Sequence, residues 1–137
     1  MRAVLIDTGP LYALAAPTDQ YHERAQYESE RILSDQLDVI LLYPILVEAY
    51  TLILRRFVPS VAHHWLEMAI TSANLFNPNE EDYLQAASRV RVFQDQRLTL
   101  CDGLLSILSE RLEIPVWSYD HHFDILRVSR WPSGSVL

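Results

Sequence analysis

Three short apolar runs constrain the fold more than any other feature of this chain. Ala3–Ile6, Val39–Tyr43 and Val116–Tyr119 are nearly continuous in apolar residues, and helix-like stretches separate them. Such runs read as strands buried on both faces, and a connection that holds a helix joins two strands as a parallel crossover. The chain is therefore expected to be α/β, with a central parallel sheet flanked by helices. Asp7-Thr8-Gly9-Pro10 reads as a turn after the first strand, followed by a short helix over Leu11–Ala16. Asp19–Ser34 carries Tyr21, Ala25, Ile32 and Leu33 near helical spacing, the pattern of an amphipathic surface helix.

Pro44 opens a helix to about Phe57 that is apolar on nearly every face and so is expected to be central. Pro59-Ser60 starts another through about Ala73. Asn79-Glu80-Glu81-Asp82 pairs an N-cap residue with first-turn acids and launches a helix to about Gln94. Thr99-Leu100-Cys101-Asp102 has capping-box spacing, with Asp in place of Glu. The helix behind it puts Leu104, Leu105, Leu108 and Leu112 on one face and stops at Pro115.

A chain of 137 residues supports one hydrophobic core, so residues 1–137 are expected to form a single domain. No apolar run approaches the roughly 20 residues that cross a bilayer, and no membrane association is expected. Asp7 comes too early for a secretory signal, and the single cysteine, Cys101, excludes a disulfide framework or a cysteine-based zinc site. Both fit a cytoplasmic protein. All 11 basic residues are arginines. Without lysine there is no P-loop NTPase, Schiff-base enzyme or Ser-Lys hydrolase. A net charge of −7 argues against a broad electrostatic grip on nucleic acid, but not against a local arginine patch or cations held between two anions.

Four of the 18 acids lie among apolar neighbours: Asp7 after Ala-Val-Leu-Ile, Glu48 within Ile-Leu-Val-Glu-Ala-Tyr, Asp102 within Leu-Cys-Asp-Gly-Leu, and Asp120 after Val-Trp-Ser-Tyr. An ionised carboxylate in such surroundings is unfavourable by several kcal/mol unless a cation compensates it. Asp7 and Asp120 end strands, while Asp102 and Glu48 sit near the starts of helices. In a parallel sheet all four positions fall on the carboxyl edge, where open α/β folds bind ligands. Arg55 and Arg56 lie beyond i,i+4 reach of Glu48. Hard oxygen donors without cysteine suit Mg²⁺ or Mn²⁺, and ions so held activate water and stabilise the leaving oxygen in phosphodiester hydrolysis. Thr8, Thr99 and Ser118, each one to three residues from an acid, are placed to orient the carboxylates.

Each of these residues also has a plainer reading. Asp7 could cap the turn at Gly9-Pro10, Thr99 and Asp102 could only cap each other, Glu48 could pair with a distant arginine, and Asp120 could be a turn residue. The pairs His63-His64 and His121-His122 are not read as ligands, because neighbours on a helix point about 100° apart and cannot chelate together. His63 or His64 is expected to pair with Glu67. Cys101 reads as a small core residue. Arg55-Arg56, Arg127 and Arg130 with Trp131 are candidates to hold phosphates and stack a base, or simply surface.

In sequence order, Ile6-Asp7-Thr8, Val47-Glu48, Thr99-x-x-Asp102 and Ser118-x-Asp120-x-x-Phe123 together resemble the PIN domain, the metal-dependent ribonuclease fold of VapC-type toxins. The resemblance spans essentially the whole chain. It implies a three-layer α/β/α domain and a site in which Asp7, Glu48, Asp102 and Asp120 surround Mg²⁺ or Mn²⁺, with Asp124 as a fifth carboxylate. It also implies an endoribonuclease acting on RNA, a homodimer, and a cognate antitoxin protein. Gly103 stands where the family usually has a small residue, and is less helix-favouring than Ala. A non-catalytic PIN-like module binding RNA or a protein is the alternative, as is a metal-dependent phosphatase or DNA nuclease. With all four acidic positions filled, the enzyme is favoured.

Overall fold

A computed structural model describes residues 2–132. Its centre is a five-stranded, wholly parallel sheet in the order β3-β2-β1-β4-β5, made of β1 (Ala3–Ile6), β2 (Asp38–Leu42), β3 (Asn74–Phe76), β4 (Val116–Trp117) and β5 (Arg130–Trp131). Around it lie α1 (Thr8–Ala15), α2 (His22–Ser34), α3 (Tyr43–Arg56), α4 (Pro59–Ser72), α5 (Glu80–Arg91), α6 (Leu100–Leu112) and α7 (His122–Ile125). The α/β expectation holds in its three-layer form. The two edge strands and α7 had no counterpart in the sequence reading, because two to four residues are too few to show a period.

The chain leaves β1 toward β2 on one side and returns to β4 on the other. The crevice outside the carboxyl end of β1 is thus a topological switch point, where open α/β sheets hold ligands. Val4, Leu5 and Ile6 are buried and form the core with Leu41, Leu42, Ile45, Leu104, Leu105, Leu108 and Trp117. Among the described residues, no helix is long and apolar enough to cross a membrane.

Several local expectations need correction. Helix α1 begins at Thr8, before Pro10, because first-turn amides have no intrahelical partner and a proline there loses no bond. Helix α2 begins at His22, after a turn in which Asp19 Oδ2 accepts from the Tyr21 amide at 3.0 Å. Its buried stripe is Ala25, Glu28 and Ile32, while Leu33 is exposed. Helix α3 is buried along Ile45, Leu46, Ala49 and Ile53 only; Tyr43, Val47 and Leu54 face outward, so it is not central all round.

Gly103 is a packing requirement. A Cβ there would lie 2.9 Å from the Ala86 carbonyl oxygen and 2.9 Å from Val90 Cγ1, so α5 and α6 meet this closely only over a glycine. At the start of α5, Asn79 and Asp82 cap each other's amides at 2.9 Å. The buried Asp82 also takes Arg111 Nη1 at 2.5 Å, and that hydrogen-bonded guanidinium holds its carboxyl below the usual range.

Candidate metal centre

The four acids singled out above come from four parts of the chain. Asp7 follows β1, Glu48 sits in the second turn of α3, Asp102 is the third residue of α6, and Asp120 stands between β4 and α7. All four line one cavity of about 450 Å³ together with Thr8, Thr99 and Ser118. No arginine lines it among the described residues.

The three hydroxyls hold the acids in place. Ser118 Oγ donates to Asp7 Oδ2 at 2.8 Å and accepts from the Asp120 amide at 3.0 Å, tying Asp7 to the loop that carries Asp120 after β4. Thr8 Oγ1 donates to Glu48 Oε1 across 40 positions of sequence, so Glu48 is not the partner of a distant arginine. Thr99 and Asp102 form a full capping box, with both bonds at 3.0 Å. Asp102 thus caps α6 and lines the cavity at once. Asp7 makes no side-chain N-cap bond to α1, which removes the turn-capping alternative.

The electrostatics follow from burial and crowding. Desolvation pushes the Asp7 carboxyl up to about 6; the Ser118 hydroxyl and the Thr8 amide oppose this, and the charges of Asp102 and Glu48 add to it. Asp102 is also raised, by burial and by Asp120, against the Thr99 amide and His122. The Cys101 thiol is pushed up to about 12 by burial and then by Glu48, Asp7 and Asp102, so it is no nucleophile at neutral pH. The charged forms of Asp7 and Asp102 are thus disfavoured, and a divalent cation in the cavity could offset that. A set of carboxylate oxygens without a thiolate fits Mg²⁺ or Mn²⁺.

Other residues depart from expectation. Asp124 is not brought to the cavity: it is exposed and paired with Arg130 at 3.1 Å. Trp131 is buried edge-on against Trp117, with ring centres 5.4 Å apart, and is not free to stack a base. His63 stacks on Tyr50, and no pairing of His63 or His64 with Glu67 occurs among the described residues. His122, set aside on the argument about adjacent pairs, has its Nδ1 3.1 Å from Asp102 Oδ2 and 3.3 Å from Asp120 Oδ2. That argument excluded two neighbouring histidines acting together, but not one histidine meeting carboxylates from other elements. Its signal was the place two residues past Asp120, in the turn closed by Asp120 Oδ1 on the His122 amide at 2.9 Å.

The cavity also has an aromatic side that was not foreseen. Tyr12, Tyr21 and Tyr119 line it. The Tyr119 hydroxyl donates to the buried Glu28 Oε1 at 2.6 Å, and Trp117 Nε1 donates to the same oxygen at 3.0 Å. Tyr21 lies against the Tyr119 ring at 4.6 Å, and the Arg24 guanidinium stands 4.6 Å from that ring's centre. Burial and the Glu28 carboxylate push the Tyr119 phenol well above its usual range.

No family model and no curated protein matches the sequence. Solved structures match the fold. VapC20 of Mycobacterium tuberculosis, a sarcin-ricin loop cleaving toxin, aligns with a TM-score of 0.79 at 17% identity over 92% of this chain and 96% of that one. VapBC2 of Rickettsia felis, bound to a DNA fragment from its promoter, aligns at 0.70 and 7% identity over 93% and 96%. FitAcB of Neisseria gonorrhoeae aligns at 0.68 and 16% identity over 93% and 95%. The fold is therefore that of the VapC-type PIN domain.

Proposed function

We propose that this chain is a Mg²⁺- or Mn²⁺-dependent endoribonuclease of the PIN type and the toxin half of a toxin–antitoxin pair. The observation that carries the reading is the meeting of Asp7, Glu48, Asp102 and Asp120 in one cavity that no arginine lines. These four residues would hold the ion. Bound there, it supplies Lewis acidity toward the phosphodiester and activation of water for in-line attack.

The chain's own groups do the positioning. Ser118 fixes Asp7 and Asp120 relative to each other, Thr8 fixes Glu48, and the capping box fixes Asp102 at the head of a helix anchored by Leu104, Leu105 and Leu108. RNA as the substrate is supported by the likeness in fold to a toxin that cleaves the sarcin-ricin loop. The PIN resemblance further supports a cognate antitoxin, a homodimer and a cytoplasmic location, all within one domain over residues 1–137. The test is RNA cleavage with Mg²⁺ or Mn²⁺ by wild type, Asp7→Asn and Asp102→Asn. The reading expects activity to disappear in both variants, and full activity in both would remove the site.

A further inference from the structure

We propose that His122 is itself a metal ligand, giving the centre one nitrogen donor among its carboxylates and a preference for Mn²⁺ over Mg²⁺. This rests on the metal centre of the nuclease reading and adds a donor to it. The His122 Nδ1 and one carboxylate oxygen each from Asp102 and Asp120 all lie within 4.8 Å of one another, a spacing at which one cation can touch all three.

The ring is held in that position by its surroundings. Asp120 Oδ1 accepts from the His122 backbone amide, so the turn that carries the acid also carries the imidazole. Phe123, the next residue, is fully buried and anchors α7 to the core. The His122 side chain is 18% exposed, whereas its neighbour His121 is 77% exposed and 3.7 Å from Asp120 Oδ1. His121 also lines the cavity, but only His122 has a ring nitrogen within reach of acids from two parts of the chain.

The consequence is ion selectivity. Carboxylates alone are hard donors that serve Mg²⁺ well, whereas imidazole nitrogen favours transition-metal ions. A centre that includes His122 discriminates between the two, and one built from Asp7, Glu48, Asp102 and Asp120 alone does so much less.

Mn²⁺ binding to the full chain, followed by electron paramagnetic resonance, tests this, with pulsed measurements reporting nitrogen coupled to the bound ion. The expected result is a ¹⁴N coupling that becomes a ¹⁵N coupling when histidine is ¹⁵N-labelled, survives His121→Ala and vanishes in His122→Ala. Mn²⁺ affinity should fall about tenfold or more in His122→Ala while Mg²⁺ affinity, read by competition, changes little. If His122→Ala does not fold, His122→Asn offers an amide oxygen at similar reach, and its ratio of Mn²⁺ to Mg²⁺ affinity should fall by the same factor. Bound Mn²⁺ without nitrogen coupling, or coupling that survives His122→Ala, overturns the inference and leaves an oxygen-only centre. Failure of wild type to bind Mn²⁺ at millimolar concentration overturns the inference and the nuclease reading together.

Discussion

Asp7→Asn should make the metal-free protein more stable while removing its metal binding. The folded-state pKa of Asp7 is raised from 3.8 to about 6, chiefly by desolvation. Between those values the folded state binds more protons than the unfolded chain, so metal-free stability falls as pH rises through the window and levels off above it. At about 1.4 kcal/mol per unit, the charged carboxylate destabilises the fold by about 3 kcal/mol at pH 7.5 and about 1 kcal/mol at pH 4.5. Asparagine keeps an oxygen for Ser118 to donate to and carries no charge. For 137 residues the unfolding entropy is about 0.29 kcal/mol/K, so the variant should melt about 10 °C higher in EDTA at pH 7.5. The gap should shrink by more than half at pH 4.5. Excess Mn²⁺ should raise the wild-type Tm, by about 2.7 kcal/mol of stabilisation at one hundred times Kd, and leave the variant unmoved. Differential scanning fluorimetry in EDTA and in Mn²⁺ at both pH values reads all of this. A variant that melts below wild type in EDTA at pH 7.5 would refute the reasoning.

Ser118→Ala removes the hydroxyl shared by Asp7 and Asp120; Mn²⁺ affinity measured by calorimetry should fall about 10- to 100-fold with the fold intact, and an unchanged affinity would contradict this. Gly103→Ala adds a methyl against a backbone oxygen that cannot yield, so urea denaturation should show a net loss of about 1–3 kcal/mol despite alanine's better helix propensity. Asp82→Ala removes the side-chain half of the capping box, in which Asp82 accepts from the Asn79 amide, and the Arg111 partner, and should lower stability at pH 7 by about 1–2 kcal/mol without changing Mn²⁺ affinity. Because the folded Asp82 pKa is depressed, that contribution is present above the unfolded value near 3.8 and disappears as pH falls through the folded value. The stability gap between the two proteins in chemical denaturation should therefore narrow as pH falls below 3.8.

The sheet was legible wherever a strand was long enough to show an apolar run. Strand β1 was read with its observed bounds, β2 one residue late, and β4 two residues too long, while β3 and β5 were invisible because they are fixed by pairing with neighbours. The acids were legible because a carboxylate among aliphatic residues demands a reason; Asp7 and Asp102 are indeed buried, whereas Glu48 and Asp120 are half-buried at the cavity wall. Parallel topology then placed strand ends and helix starts on one edge, and the structure puts all four acids in one cavity. Asp124 was carried in by resemblance alone and lies against Arg130. Glu28 was missed because its partners Trp117 and Tyr119 lie 89 and 91 positions away, a separation that leaves no periodic trace. His122 was missed because it was weighed only together with His121, although it stands two residues past Asp120.

Anomalous diffraction from crystals soaked in Mn²⁺ addresses the metal centre most directly. One strong peak should appear between the carboxylates of Asp7, Glu48, Asp102 and Asp120, at coordination distance from oxygens of at least three of them. A cavity without such a peak at saturating Mn²⁺, or a peak bound only at surface acids elsewhere, would contradict the account.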